Sequence, residues 1–296
     1  MSKKITIIGA TGHLGHRVTA KLVAQGAEVT AVVRDPARAK TILPASVRLV
    51  QGDVADPASL VTALAGTETL YITLNTESLE VTLPFHSERE GVKNIVAAAQ
   101  KTGVCHIMQI AGIDFIHPEF STKGMAYGTN AIRKEGIAAI KDSGIPYTFF
   151  YCSVFMDSLP KFLEGEEMAV IGEHVNPIYF TNTTELAALV FNAIDNPAAR
   201  GKEFAVQGRE AMTFAQGSEE FLCHFAPEAQ VLKLPFETVR QMGLPEDQAI
   251  FFEHLLSFLE QTSEQQVSAE TWRILGEPQT TIASFAQELR AEAQPA

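Results

Sequence analysis

The chain has 296 residues, of which 46% are hydrophobic and 20% charged. This is the composition of a folded enzyme large enough for one big domain or two unequal ones. A formal net charge of −12 argues against nucleic acid or an anionic membrane as a direct partner, so any anionic ligand needs a local basic patch. Three widely spaced cysteines, Cys105, Cys152 and Cys223, suit a reducing compartment and buried thiols better than disulfides or a metal cluster.

The first apolar run, Lys4 to Ile8, stops in Gly9-Ala10-Thr11-Gly12-His13-Leu14-Gly15. A helical pattern of Leu14, Val18, Leu22 and Val23 follows at once and is closed by Gly26. This reads as a buried strand, a tight turn and a helix N-terminus. Gly9 makes the sharp exit, Gly12 leaves no side chain between backbone and ligand, and Gly15 lets the helix pack close. The free N–H groups and positive dipole end of that helix favour a pyrophosphate. A strand this near the start leaves no room for a signal peptide, and no apolar run reaches membrane length, so the cytoplasm is the expected compartment.

Further strands are expected at Ala27 to Val33, Val47 to Val50, Thr69 to Leu74, His106 to Ile110 and Tyr147 to Cys152. A short helix after Pro57, a long one from Val81 to Lys101 and another from Thr129 to Asp142 separate the later strands. Residues 112 to 128, with Pro118, form a loop long enough to cover a site. Such alternation implies an α/β fold, a Rossmann-type doubly wound parallel sheet with right-handed crossovers. A dinucleotide would lie across the carboxyl ends of its strands. The boundary is expected near residue 152, with residues 1–152 the dinucleotide-binding domain and 153–296 a smaller, mostly helical domain at the substrate cleft. Thr183-Thr184-Glu185 opens a helix to about Ile194, and residues near 203–206 are expected to return a strand to the sheet.

Arg34 at the end of the second strand bears on the choice of cofactor. An NAD site usually carries Asp or Glu there for the ribose hydroxyls, whereas a guanidinium suits the 2′-phosphate of NADP. Asp35 is the competing ribose ligand, yet Asp35-Pro36 also reads as an N-cap with proline at the first helical position. Arg38 and Lys40 add positive charge nearby, so NADP(H) is expected over NAD(H). Asp53 and Val54 end the third strand, where adenine would lie, although Asp53 reads equally well as a turn residue. Leu74 and Asn75 end the fourth strand over the same crevice. Phe149, Phe150, Tyr151, Phe155 and Phe162 offer a surface for a flat apolar substrate, while the alternation of a buried strand assigns such aromatics to the core. His13 and His16 share a helix face without a third ligand, and His106 is expected to pack beside the sheet.

Gly-Ala-Thr-Gly-His-Leu-Gly, Val33-Arg34-Asp35-Pro36, Gly52-Asp53, Ser143-Gly144-Ile145-Pro146-Tyr147-Thr148 and Tyr179-Phe180-Thr181-Asn182 together resemble the NmrA-like atypical short-chain dehydrogenases/reductases. The resemblance spans roughly residues 3 to 215. It implies a Rossmann domain preferring NADP(H) and a smaller variable domain closing a substrate cleft. It also implies either an NADPH-dependent reductase of quinone, flavonoid-type or azo compounds, or a redox sensor that binds the nucleotide without turnover.

The chain departs from the standard Ser and Tyr-x-x-x-Lys set, in which lysine lowers the phenol pKa. Ala111 stands where the serine is expected, and Tyr127 is followed four residues later by Ala131. Lys123 lies four residues before Tyr127, in the reverse order. Arg133, with Lys134 beside it, takes the place where family members often carry Lys or His, and arginine does not shuttle protons. The family's Arg-Pro-Gly reads Tyr151-Cys152-Ser153. Tyr127, Arg133 and Lys134 remain the candidate catalytic residues. Gly9, Thr11, Gly12, His13, Leu14, Gly15, Arg34, Asp53, Val54, Leu74 and Asn75 are the candidate cofactor ligands. The expected activity is hydride transfer from NADPH to a small carbonyl, quinone-like or other conjugated acceptor. The alternative is a non-catalytic NADP(H) sensor acting through a protein partner, and a homodimer is compatible with either.

Overall fold

Strands that are apolar on both faces need cover on both sides, and here the two sets of side chains divide cleanly. In the computed structural model, which describes residues 2–76, 78–117 and 128–293, the seven-stranded sheet runs β10-β6-β5-β4-β1-β2-β3 with every pairing parallel. Its strands are β1 (Lys4–Ile8), β2 (Glu28–Val33), β3 (Arg48–Gln51), β4 (Thr69–Ile72), β5 (His106–Gly112), β6 (Tyr147–Cys152) and β10 (Lys202–Val206). Ile5, Ile7, Val29, Ala31, Tyr71, Met108, Phe150 and Phe204 face one helical layer. That layer contains α1 (Gly15–Ala24), α6 (Thr183–Ala193) and α9 (Ala269–Leu275). Ile8, Val32, Leu70, Ile72, Ile107, Phe149 and Tyr151 face the other. There lie α3 (Pro57–Ala63), α4 (Val92–Thr102) and α5 (Asn130–Asp142). The strand-six aromatics Phe149, Phe150 and Tyr151 therefore belong to the two cores.

Strand order reverses direction at β1 and β4, so the switch point of the doubly wound sheet lies where Gly9 leaves β1. The strand expected near 203–206 is present as β10, paired with β6 from Lys202↔Thr148 to Val206↔Cys152. Helices α6 and α9 also return to the sheet, so the chain beyond residue 152 completes the first core as well as forming another. That third cluster joins Met156, Met168, Phe180, Phe214, Phe221 and Phe285. A second, three-stranded sheet lies beside it: β12 (Gln230–Leu234) parallel to β8 (Glu167–Ile171), and β8 antiparallel to β7 (Leu163–Glu164).

Three expectations change. The helix expected over Val81 to Lys101 begins only at Ser87, with a π-helical turn Ser87–Gly91 leading into α4. Pro84 disfavours helix at Leu83, and His86 is extended at φ −126°. Arg89 instead pins the irregular segment through the carbonyls of Val81 (2.7 Å) and Leu83 (2.6 Å). The latter part of the chain is also less helical than expected, because Gln230–Leu234 is a strand. Ile250 to Leu259 is helical, within α8 (Glu246–Gln261), but of that run Ile250 remains 44% exposed. The expectation of buried thiols holds only for Cys152, since Cys105 and Cys223 are exposed.

His106 packs against the sheet as expected and is buried. Its Nε2–H donates to Thr148 Oγ1 (2.8 Å), whose own hydroxyl donates to the Ala199 carbonyl (2.6 Å). Burial, and then the charge of Arg200, lower its pKa to about 4. The unfolded chain therefore binds the proton first on acidification: the contribution to stability is complete above about 6.5 and is lost as pH falls towards about 4. Urea unfolding at pH 7 and pH 5 should show a drop about 2 kcal/mol smaller for His106→Gln than for the natural chain. Equal drops would mean that another group carries the dependence.

Candidate functional site: the crevice at the carboxyl ends of the strands

The glycine turn is built by backbone contact. Gly9 has φ +93°, and a Cβ there would stand 2.2 Å from the Thr73 carbonyl oxygen at the end of β4. A Cβ on Gly15 would stand 2.1 Å from the Gly9 carbonyl oxygen. Gly12 N donates to that same carbonyl (3.0 Å), closing the turn. A Cβ on Gly12 would meet nothing nearer than Gly9 O at 3.3 Å, and Thr11, Gly12 and His13 are exposed. The inner glycines thus set the approach of β1, β4 and α1, while the outer rim stays open before the N-terminus of α1. This cradle fits a dinucleotide phosphate.

At the end of β2, Arg34 is exposed, and among the described residues its guanidinium takes no hydrogen bond or ion pair. Asp35 is the N-cap of a short helix, Pro36–Ala39, its Oδ1 accepting from Ala37 N (2.9 Å) and Arg38 N (3.1 Å). Arg38 and Lys40 are exposed beside it. Asp53 also serves its own turn, accepting from Ala55 N (2.9 Å), while its N–H donates to Ser59 Oγ (3.0 Å). The Val54 carbonyl accepts from Asn94 Nδ2 (2.9 Å), which ties this turn to α4. Leu74 is half-buried and Asn75 exposed at the end of β4.

The candidate proton-handling residues separate. Tyr127 and Lys123 lie outside the described residues. Ala111, where the serine is expected, lies on β5 and pairs in register with Tyr151. The Tyr151 hydroxyl turns away to donate to Glu203 on β10 (3.1 Å), and burial, then the Glu203 charge, hold that phenol well above its ordinary range. Arg133 Nε donates to both oxygens of Glu88, at 3.0 and 2.9 Å, and Nη2 reaches Asn75 Oδ1 at 3.4 Å. A Cβ on Gly136, one turn along α5, would stand 2.2 Å from the Glu88 carbonyl oxygen, so the helix and the π-helical turn sit in backbone contact. Lys134 points outward and is exposed. No group of His, Cys, Asp and Glu able to hold a metal occurs among the described residues.

Glu88 escaped the sequence reading, since nothing local marks it as buried. So did Glu264, only 6% exposed although 57 to 111 residues from its partners. Its carboxylate accepts from Ser153 Oγ (2.7 Å) after β6, Gln207 Nε2 (2.9 Å) after β10 and Tyr179 N (3.4 Å). Burial raises its pKa, while the Gln207 and Ser153 bonds oppose that shift. The next residue, Gln265, meets buried His117 beyond β5: its N–H donates to His117 Nε2 at 2.9 Å. Residues 264 and 265 thus cross the carboxyl edge of the sheet.

The sequence profile of a family described as NAD(P)H-binding matches residues 9–197. Quinone oxidoreductase 2 of Escherichia coli (strain K12) is 30% identical over 223 residues, 73% of this chain and 72% of that protein. The crystal structure of NADPH-dependent quinone oxidoreductase QOR2 from Escherichia coli, complexed with NADPH, superposes with a TM-score of 0.75 at 25% identity, covering 96% of this chain and 99% of that one. NmrA, a negative transcriptional regulator solved in complex with NADP, shares the fold with a TM-score of 0.71 at 16% identity, covering 98% and 96% of the two chains.

Breaking the Arg133–Glu88 pair strands a carboxylate that is 3% exposed. Arg133→Met should therefore lower the unfolding free energy by about 3 kcal/mol or more in urea titrations. A loss below about 1 kcal/mol would show the pair to be solvated.

Proposed function

The chain belongs to the NAD(P)H-binding, NmrA-like group of atypical short-chain dehydrogenases/reductases, and from that premise we propose that it is an NADPH-dependent reductase of a small conjugated acceptor of the quinone type. The glycine cradle and the N–H groups that open α1 would hold the pyrophosphate. Arg34 would meet the 2′-phosphate, with Arg38 and Lys40 adding positive potential. Asp53, Val54, Leu74 and Asn75 would flank the dinucleotide along the strand ends. The bound cofactor would supply a hydride. The chain's own part is to orient the acceptor and exclude water. The lobe built on the third cluster, within residues 153–296, would form the acceptor-side wall.

One observation carries the choice of acceptor: the described residues of the crevice present no serine–tyrosine–lysine relay. Ala111 cannot donate a proton, Tyr151 is turned to Glu203, and Arg133 is paired with Glu88. A quinone accepts hydride at a conjugated oxygen system and takes its proton from solvent, so it needs such a relay least. The relative of Escherichia coli, named as a quinone oxidoreductase, supports the same class. The same lack of a relay also supports the second reading, a sensor that binds NADP(H) without turnover. That reading requires different affinities for the oxidised and reduced forms.

Purified protein should oxidise NADPH in the presence of a quinone panel. Failure across the panel, together with unequal NADP and NADPH affinities, would select the sensor. Arg34→Ala should weaken NADPH binding by roughly tenfold or more while changing NADH binding by less than about threefold. Equal losses would remove Arg34 from the 2′-phosphate.

A further inference from the structure

Helix α8 ties the later part of the chain to the Rossmann sheet, and it uses two faces to do so. Leu256 is buried with Ile171 of β8 and Val239, and Phe252, one turn earlier, packs on them. A polar contact adds to this joint: Glu260 Oε2 accepts from Glu173 N (3.1 Å) and His174 N (3.0 Å), just after β8. His174 is held there at φ +42°, a left-handed conformation that a residue with a side chain adopts at a cost. His254 and Phe258, again four residues apart, share the other face. Phe258 packs on the second core against the sheet, and His254 Nε2 accepts from Gly128 N (2.8 Å), two residues before α5.

Gly128 is the point where three segments meet. A Cβ there would stand 2.9 Å from both His254 Nε2 and Leu79 Cδ2, so α8 and the chain after β4 close on bare main chain. A backbone N–H can only donate, so Nε2 is the acceptor, and the neutral imidazole carries its proton on Nδ1. Two residues further on, Asn130 Nδ2 donates to Asp114 Oδ2 beyond β5. One turn into α5, Arg133 Nη2 reaches Asn75 Oδ1 beyond β4 (3.4 Å). His254 and Leu79 therefore meet beside the ends of β4 and β5.

That place bears on the acceptor. Arg34 stands at the end of β2, on one side of the switch point. A dinucleotide whose 2′-phosphate end lies there runs its nicotinamide end to the other side, over β4 and β5. We propose that His254 is a positioning residue for acceptor specificity. Its bond to Gly128 fixes how far α8 stands from those strand ends, and so the width of the slot that holds an acceptor ring against the nicotinamide. Leu79 and the neutral imidazole bring no charge to that slot, so it suits a flat, uncharged ring. This role rests on the reductase reading given above and adds the element that sets which acceptors fit.

Menadione, an uncharged quinone, is the probe. His254→Phe keeps a ring but removes the acceptor for Gly128 N, whereas His254→Gln returns an amide oxygen near the position of Nε2. His254→Phe should raise the KM for menadione roughly tenfold, with kcat within about threefold and NADPH affinity within about twofold of the natural chain. His254→Gln should restore the KM. Leu79→Ala, on the opposite wall, should shift the same KM and serves as the test where His254→Phe does not fold. An unchanged KM in the folded variant would overturn the role, as would equal losses in kcat, KM and NADPH affinity that His254→Gln does not restore. Should the natural chain not reduce menadione, the reductase reading falls, and calorimetric binding of menadione with NADP present decides for His254. Binding lost in His254→Phe and kept in His254→Gln supports the slot; equal binding in both, or none to the natural chain, overturns it.

Discussion

The site depends on three stretches of backbone meeting with no side chain between them. The end of β1, the end of β4 and the start of α1 touch through Gly9, the Thr73 carbonyl and Gly15, at distances that a methyl group would violate by more than an ångström. Because the contact is between main chains, its geometry cannot be adjusted by a rotamer. It aims the N–H groups of α1 at the switch point of the sheet. Any widening would move those donors away from the place where the strand order opens a crevice.

The later part of the chain is fastened to that crevice by polar bonds in a buried setting. Ser153, Gln207, Glu264 and His117 lie after β6, after β10, beyond α8 and after β5, and all are nearly inaccessible. A carboxylate in such a place carries a large desolvation cost, offset here by two side-chain donors and one backbone N–H. Such a network is directional, whereas the apolar contacts around it are not, so it specifies where the crossing segment sits on the sheet edge. A second buried carboxylate, Asp157, does the same for the start of α6 through Thr183.

Most polar groups around the crevice already have partners within the protein. Asp35 caps a helix, Asp53 closes its own turn, Arg133 holds Glu88 and Tyr151 faces Glu203. Among the described residues Arg34, exposed at the end of β2, keeps a guanidinium without such a partner. That distribution suits a protein whose own residues recognise and orient anions more than they move protons. It agrees with the departure at Ala111 and with membership of a nucleotide-binding family that includes reductases.

The order of strands and helices, the glycine turn, Arg34 at the end of β2 and the cap at Asp35 were all legible in sequence. Each rests on local rules: apolar alternation, proline after a capping aspartate, glycines where backbone must turn or touch. The return of residues near 203–206 was legible too, as a short β-branched and aromatic run after a helix stop. Other features had no local mark. Pro84 delays a helix whose apolar pattern begins before it, and Gln230–Leu234 becomes a strand only because β8 offers an edge. The burial of Glu88 and Glu264 arises from residues far away in the chain, as does the meeting of Arg17 with Asp157. Local patterns determine which segments can be helix or strand and where the backbone can turn. Only the closing of the tertiary structure decides which charges meet, because electrostatic partners are chosen by distance in space and by exclusion of water, neither of which a linear sequence records.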